Sequence, residues 1–385
     1  MQINNFDVLI VYSHRIAKSA NSSTNKLTPF PIGSRSESYN LVYSYFLKTC
    51  RNNNLKAAFT TSSDIIGAGK CSSFWLYEAS NWIKVKKPGY SKLIFDKFSP
   101  ITKIVKDNRT LLFSSLKVKP FNSPYLFDLF FDKQETYRKL KEFSIPTVPV
   151  RGNTDKNIRR SIKMLNKIIE KHSYKKDFSS EIVMKDRFGA GGRSVFKFRK
   201  DNLRDIVRVA KNTRKNFILQ PSVKFERGFR YQGSFSPTDI RLIFLEGKIV
   251  QTYIRIAKHG DFRCNEHRGG SLIYVSKKEI PEGITNLSKE IAGVLGKDNA
   301  LFCLDFIISN NQNIYLLEGN TGPGLDWNTS SKVNEIEAKK LIRMIVKELV
   351  KRTTPETVSK RRYRKEIVVP VPPEYPFVPV ESTFI

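Results

Sequence analysis

The chain has 385 residues, with 67 Lys and Arg against 36 Asp and Glu, a formal charge of +31, and 40% hydrophobic residues with 12% aromatics. That length suits about two or three domains and a sizeable core, and that composition excludes a disordered polymer. Nowhere do ~18 apolar residues run together, which excludes a helical membrane span, and residues 1–11 lack a basic region with a cleavage site, so no signal peptide is expected.

In chain order, residues 6–11 read as a buried strand, followed by a polar Ser/Asn/Thr-rich loop through Ser36. Residues 38–50 place Leu41, Val42, Tyr45, Phe46 and Leu47 at helical spacing, and 56–61, 92–95 and 110–114 read as further short strands. These predict a small α/β unit ending near Lys119. A helix over 132–143 leads into Ile145-Pro146-Thr147-Val148-Pro149, whose prolines enforce extended backbone. An amphipathic helix follows, with Ile158, Ile162, Leu165 and Ile169 on one face and Thr154 or Asp155 as its cap. Strands are predicted within 181–198 and over 217–223, with a helix over 203–211 between them. A hairpin over 239–245 and 248–256 turns at Glu246-Gly247, and a helix over 285–295 comes next. The last helix, 336–350, points Ala338, Leu341, Ile345 and Leu349 inward. Beyond Arg352 the chain is basic, densest at 359–365, then proline-rich over 369–379, and is expected to be extended.

Cys50, Cys71, Cys264 and Cys303 show no CxxC spacing, so neither a zinc site nor a disulfide framework is indicated and a reducing, cytoplasmic setting is expected. The positive charge predicts attraction to nucleic acid, anionic lipid or an acidic or phosphorylated substrate, although base composition alone also yields Lys- and Asn-rich chains.

Chemistry concentrates between residues 185 and 320. The run 301–308 is apolar except for Asp305, and 314–318 repeats the pattern up to Glu318-Gly319-Asn320. With the turn centred between Asn311 and Gln312, Asp305 pairs with Glu318 and Asn320 shares that face. Like charges opposed on strands repel, and a cation is the natural compensation; two carboxylates and an amide oxygen suit Mg²⁺. Two half-exposed acids that never meet are the bland alternative. Upstream, Lys185 precedes Gly189, Gly191 and Gly192, a loop able to approach phosphates or simply to turn a hairpin. Gly67-Ala68-Gly69-Lys70-Cys71 lacks the features of a phosphate loop and reads as an ordinary loop. The segment Lys258-His259-Gly260-Asp261-Phe262-Arg263-Cys264-Asn265-Glu266-His267-Arg268-Gly269-Gly270 suits a loop lying over a polyphosphate and a developing oxyanion.

In this order, Lys185 with its glycines, the strand to Gln220, Asp239-Ile240-Arg241, the 258–270 run, Asp305 and Glu318-Gly319-Asn320 resemble the ATP-grasp superfamily, and most closely its RimK-like carboxylate–amine ligases, which include glutamate ligases. The resemblance covers about residues 132–351. It implies an ATP-grasp fold of two α+β subdomains clasping ATP (131–352, lid about 145–222), preceded by a small α/β N-terminal domain (1–130) and followed by a tail (353–385). It further implies that Lys185 contacts ATP phosphates and that Gly189, Gly191 and Gly192 form a lid. Gln220, Pro221 and Ser222 would make the adenine hinge, and Asp239 and Asn265 would belong to the nucleotide site. Arg241 and Arg263 would face the phosphates or the reacting acyl group, and Asp305, Glu318 and Asn320 would hold Mg²⁺ or Mn²⁺, two ions in all. Where relatives have a hinge glutamate this chain has Pro221, with Glu226 as a substitute acid, and Ser194 replaces a lid glycine, which a Ser tolerates readily only at negative φ.

The implied activity is amide formation between a carboxylate and an amine through an acyl phosphate, adding an amino acid to an amino acid, peptide or protein. An acidic peptide or protein substrate would use the positive charge for steering. The rival from another class is a catalytically silent ATP-grasp fold docking on nucleic acid or another polyanion, disfavoured by the intact Asp305, Glu318 and Asn320. His14, His172, His259 and His267 show no zinc spacing and no Ser-nucleophile elbow occurs; His267 would lie near the site or bond backbone in its loop.

Overall fold

The computed structural model describes residues 3–22, 27–99, 102–189, 191–192, 194–213, 215–296 and 301–354. The basic cluster at 359–365, the proline-rich stretch at 369–379, lid residues Ala190 and Arg193, and the His267 side chain lie outside the described residues.

Three sheets organise the body. The first contains β1 (Asn4–Tyr12), β2 (Ala57–Thr61), β3 (Ile65–Gly67), β4 (Lys70–Cys71), β5 (Phe74–Glu78), β6 (Asn81–Val85), β7 (Gly89–Lys97) and β8 (Lys119–Pro120), in the order β3-β4-β7-β1-β2-β5-β6 with β8 beside β7. β1 is central and parallel to both β2 and β7. Helix α1 (Tyr39–Asn52) makes the crossover from β1 to β2 and buries Val42, Tyr43, Phe46 and Leu47. Helix α2 (Lys103–Leu112) occupies part of the segment expected as a strand over 110–114. Val105, Arg109 and Leu112 are buried at helical spacing and the Thr102 hydroxyl accepts from Val105 N at 3.4 Å, so periodicity and a cap override the strand-like run Leu111-Leu112-Phe113. Gly67–Lys70 is the turn of the β3–β4 hairpin.

Helices α3 (Pro124–Phe131) and α4 (Lys133–Lys139) connect to the second sheet; Asp132 caps α4 by accepting from Gln134 N and Glu135 N. That sheet is antiparallel, β11-β10-β12-β9, built from β9 (Val148–Pro149), β10 (Phe178–Asp186), β11 (Val195–Arg199) and β12 (Phe217–Val223). Helix α5 (Asp155–Glu170), capped by Thr154, and α6 (Leu203–Thr213) share one apolar core with it, through Ile158, Leu165, Ile206 and Ala210.

After a two-stranded ribbon, β13 (Arg230–Tyr231) and β14 (Ser234–Phe235), comes the third sheet, β17-β16-β15-β18-β19, also antiparallel. Its strands are β15 (Thr238–Leu245), β16 (Lys248–Ile256), β17 (Ser271–Tyr274), β18 (Leu301–Ile308) and β19 (Ile314–Asn320). Helix α7 (Glu282–Val294) covers the face carrying Ile240, Leu242, Phe244, Phe302 and Leu304. The opposite face, with Ile243, Leu245, Tyr253, Leu301 and Cys303, shares a core with α1, with Val8, Ile10, Phe59 and Phe95 of the first sheet, and with α8 (Lys332–Thr353). Burying each large apolar side chain contributes about 1.5–3 kcal/mol, so this shared layer fixes the first sheet against the third. No described helix is long and apolar enough to cross a membrane.

Candidate active site

Strand alternation sets Asp239 and Arg241 of β15, Tyr253 and Arg255 of β16, Asp305 of β18, and Glu318 and Asn320 of β19 on one face of the third sheet. Tyr253, Arg241, Asp305 and Glu318 form a single rung across four strands, with Arg255 opposite Asp239 one rung on. A bulge at Leu317 makes this possible. The hairpin starts with Ile308 opposite Ile314 and Phe306 opposite Leu316, a register that would oppose Asp305 to Leu317 and send Glu318 to the α7 face. The extra residue brings Glu318 opposite Asp305 and Asn320 opposite Cys303.

The Asp305 carboxylate is 1% exposed and its charge is compensated by arginine. Arg241 donates through Nε to Oδ1 and through Nη2 to Oδ2, each at 2.5 Å, and Arg255 Nη2 donates to Oδ2 at 2.8 Å. Arg255 also grips Asp239 through Nε at 2.7 Å and Nη2 at 2.9 Å, and Arg241 Nη1 donates to the Tyr253 hydroxyl at 3.0 Å. Burial pushes the Asp305 carboxyl up, but the two guanidinium groups outweigh it and hold it below the usual range. At Asp239 burial prevails, helped by the Asp305 charge, and the carboxyl lies above its usual range. The cation expected from opposed acids is thus present at Asp305 as guanidinium.

Over this network a cleft opens between the second and third sheets. Lys185, Gly189, Gly191, Gly192, Gln220, Pro221, Ser222, Asp239, Arg263, Asn265 and Glu318 all line it. Arg241 and Asp305 lie buried below the wall, and Asn320 Oδ1 accepts from Gly322 N at 2.8 Å. Part of the lining is apolar, with Ile145, Val223, Phe225, Ile307 and Leu317 in one hydrophobic cluster, and Lys133, Lys185, Arg255, Arg263 and Glu318 contribute charged groups to it. Sequence reasoning missed Lys133, Arg255 and the apolar wall. An arginine within the otherwise uncharged stretch Ile249–Ile256, directly across the hairpin from Asp239, was the available signal for Arg255.

Burial lowers Lys185 to about 8, with Lys133 adding to the effect and Glu318 and Asp239 opposing it. Among the described residues its ammonium has no hydrogen-bonded or ion-paired partner. Gln220 Nε2 donates to Thr147 Oγ1 at 2.8 Å while its buried Oε1 has no partner among them. Buried polar groups are rarely left unmatched, so an apolar slot with the orphaned Gln220 Oε1 and the half-buried Lys185 ammonium in its lining fits a nucleotide.

The lid loop and the 258–270 segment touch. A Cβ on Gly192, which has φ +66°, would lie 2.4 Å from Asn265 Oδ1, and Lys197 sits 5.1 Å from the Phe262 ring centre. Lys133 Nζ donates to Gly189 O, and Arg187 makes a bidentate pair with Asp132 at 2.7 and 2.6 Å, bracing the lid root to α4. Ser194 departs from expectation: its φ is +55°. Lys215 holds it there, donating to the Ser194 hydroxyl at 2.9 Å and to Asp186 Oδ2 at 2.7 Å. Arg263 lines the cleft while paired with Asp261, and those hydrogen bonds hold the Asp261 carboxyl at about 2. Glu226 accepts from Asn310 Nδ2 at 3.1 Å and is not among the residues lining the cleft, although its neighbour Phe225 is. Gly319 leaves room for α3: a Cβ there would meet the Phe130 ring at 2.2 Å.

Two sheets closing on a cleft, with a glycine lid on one and a charged rung on the other, define an ATP-grasp protein. A family model described as the RimK-like ATP-grasp domain matches residues 149–345, just over half of the chain, and the chain belongs to that family. It is 29% identical over 148 residues to a probable alpha-L-glutamate ligase 2 of Pseudoalteromonas atlantica, covering 38% of this chain and 42% of that protein. Matches to the curated relatives span 23–42% of their length. In fold, it is similar to D-alanyl-alanine synthetase A from Vibrio cholerae, with a TM-score of 0.54, 13% identity and coverage of 91% and 99% of the two chains. It is likewise similar to a RiPP-associated ATP-grasp ligase of Chryseobacterium gregarium in complex with ADP and a leader and core peptide, with a TM-score of 0.52, 12% identity and coverage of 90% and 97%.

Proposed function

We propose that the protein is an ATP- and Mg-dependent ligase that joins a carboxylate to an amine through an acyl phosphate, adding an amino acid to an amino acid, peptide or protein. The observation that carries this reading is the juxtaposition, in one cleft, of an apolar slot, the unpaired Lys185 ammonium and the Glu318 carboxylate. An oxygen of the substrate carboxylate attacks the γ-phosphorus and the bond to ADP breaks. The amine then attacks the acyl carbon, phosphate leaves, and the amine releases a proton.

Lys185 and Lys133 are suited to the phosphates, and Arg263 to the transferring phosphoryl group and then the oxyanion, once it exchanges Asp261 for substrate. Arg241 acts one layer down, fixing Asp305, while Arg255, in the cleft lining, fixes Asp239 and Asp305. The donor set suits a hard cation: Asp305 uses three of roughly four carboxylate lone-pair positions on arginine, leaving one on Oδ1, and Glu318 and Asn320 lie on the same face. Glu318, Asp305 and Asn320 would thus hold Mg²⁺ or Mn²⁺, as two ions, which neutralises charge on the phosphates.

The test is ADP release scanned across amino acids and acidic peptides, with mass spectrometry of the product. Amine-dependent ADP formation with a condensed product is expected. Absence of turnover together with salt-sensitive nucleic-acid binding favours a silent polyanion-binding fold instead.

A further inference from the structure

Helix α5 has two unlike faces. Ile158 and Leu165 are buried on the second sheet beside Ile182 and Met184, while Val183 and Lys185, alternating with those two along β10, line the cleft. The outer face of α5 thus lies across the sheet from the cleft. Lys156, Arg160, Lys163, Lys167 and the C-cap residue Lys171 are all exposed. At about 100° and 1.5 Å per residue, these cations fall within an arc of about 80°, spaced about 4.5–6 Å apart along about 22 Å of helix axis. Their side chains have no hydrogen-bonded or ion-paired partner among the described residues, and the helix's one ion pair there joins Asp155 to Lys211 of α6 at 3.9 Å.

Helix α8 is also rich in lysine, yet Lys332 and Lys339 pair with Glu335, Lys340 with Glu337, and Lys351 and Arg352 with Glu348. Lysine-rich composition is thus compatible with local pairing, and the α5 row lacks it. Like charges three and four residues apart destabilise a helix, and Lys156 stands in the first turn, where the helix dipole disfavours cations. A local conflict left unrelieved within the fold marks a surface that meets a polyanion. The apolar side of α5 is occupied by the lid core, leaving Met164 exposed on the helix and Tyr174 just beyond it, too little to enter a bilayer. A single narrow row follows one phosphate backbone, not the two of a duplex. Tyr174 is 53% exposed, meets His172 edge-on at 6.0 Å and is flanked by the exposed Lys175 and Lys176, so its ring is available to an unstacked base.

We propose that the outer face of α5 binds a single-stranded nucleic acid, with Lys156, Arg160, Lys163, Lys167 and Lys171 on its phosphates and Tyr174 under a base. This surface is separate from the ATP cleft and does not depend on the ligase reading.

The test is fluorescence anisotropy of the full chain with labelled RNA and DNA single strands of about 12 nucleotides across a salt series. Unlabelled duplexes, poly-glutamate and phosphatidylserine vesicles serve as competitors. The single strands should bind most tightly, with log affinity falling linearly in log salt. Arg160→Gln with Lys163→Gln and Lys167→Gln should weaken that binding at least about tenfold and make the salt slope shallower by about two. Lys332→Gln with Lys340→Gln and Lys347→Gln removes the same charge from α8 and should leave affinity within about twofold. Tyr174→Leu should weaken single-strand binding at least about fivefold without changing the salt slope. All the substituted side chains are exposed, so each variant should melt as the wild type does. Absence of salt-sensitive binding, an equal loss in the two triple variants, or an unchanged slope in the α5 variant overturns the proposal. Tighter binding of a duplex, of poly-glutamate or of the vesicles overturns the choice of partner.

Discussion

Asp305 and Glu318 face each other across the β18–β19 hairpin because one residue, Leu317, is bulged out between two registers. The two acids meet different fates. Asp305 is buried and held by Arg241 and Arg255, while Glu318 lines the cleft near Lys185.

Glu318→Gln keeps shape and removes charge. Amine-dependent phosphate release should fall by about a hundredfold or more, comparable to losing one preorganised charge-stabilising group, while the melting temperature barely moves. Full activity in this variant removes Glu318 from the metal set.

Arg255 bridges two buried carboxylates, so Arg255→Met leaves both short of a partner. Breaking a buried ion pair costs about 3–5 kcal/mol, and denaturant unfolding should read a loss of that order. Asp239→Asn in the same background should restore part of it, a coupling that independent sites would not show. Strict additivity would mean that the network is not a unit.

The pairing of Asp305 with Glu318 was legible from apolar runs and a polar turn, yet the expected route differs from the real one. A turn centred between Asn311 and Gln312 gives the right partners, whereas the chain turns half a residue earlier and corrects itself at Leu317. Bulges leave no periodic trace, so pattern alone does not place them. The β5–β6 hairpin escaped notice for a related reason: Ala79 and Ser80 take φ of +45° and +64° without the Asn or Gly that advertises such a turn. The guanidinium contacts to Asp305 were not legible, because Arg241 and Arg255 reach it from two strands whose register the sequence leaves open.

Asp177 ties the second sheet to the turn of the β18–β19 hairpin. It is 1% exposed and accepts from the Tyr315 hydroxyl at 2.6 Å, Asn311 Nδ2 at 2.7 Å and Asn313 Nδ2 at 2.9 Å. Burial raises its pKa, but the hydrogen bonds outweigh that and leave it below its ordinary value. A carboxylate with a depressed folded pKa contributes stability that is present above its unfolded pKa, about 4, and is lost as pH falls below it. Asp177→Asn should therefore melt lower than wild type at pH 7, and the gap should narrow towards pH 3. A gap independent of pH would assign the effect to shape, not charge.

Ser194 sits at φ +55° where relatives of this lid are expected to carry glycine, and Lys215 bonds its hydroxyl. Left-handed backbone costs a non-glycine residue about 1–2 kcal/mol, and a hydrogen bond from an ammonium contributes about 1.5–3 kcal/mol, reduced by solvent screening at the partly exposed Lys215, so the two terms nearly cancel. Ser194→Gly, which removes both, should lie close to wild type in stability. Ser194→Ala keeps the strain and loses the bond, so it should be the less stable of the two by about 1 kcal/mol or more. Lys215 would then retain only Asp186, at the root of the loop whose Gly192 packs on Asn265. If alanine equals or exceeds glycine, the loop does not hold this left-handed turn in solution, and the contact between lid and 258–270 segment must be set by Phe262 and Lys197 instead.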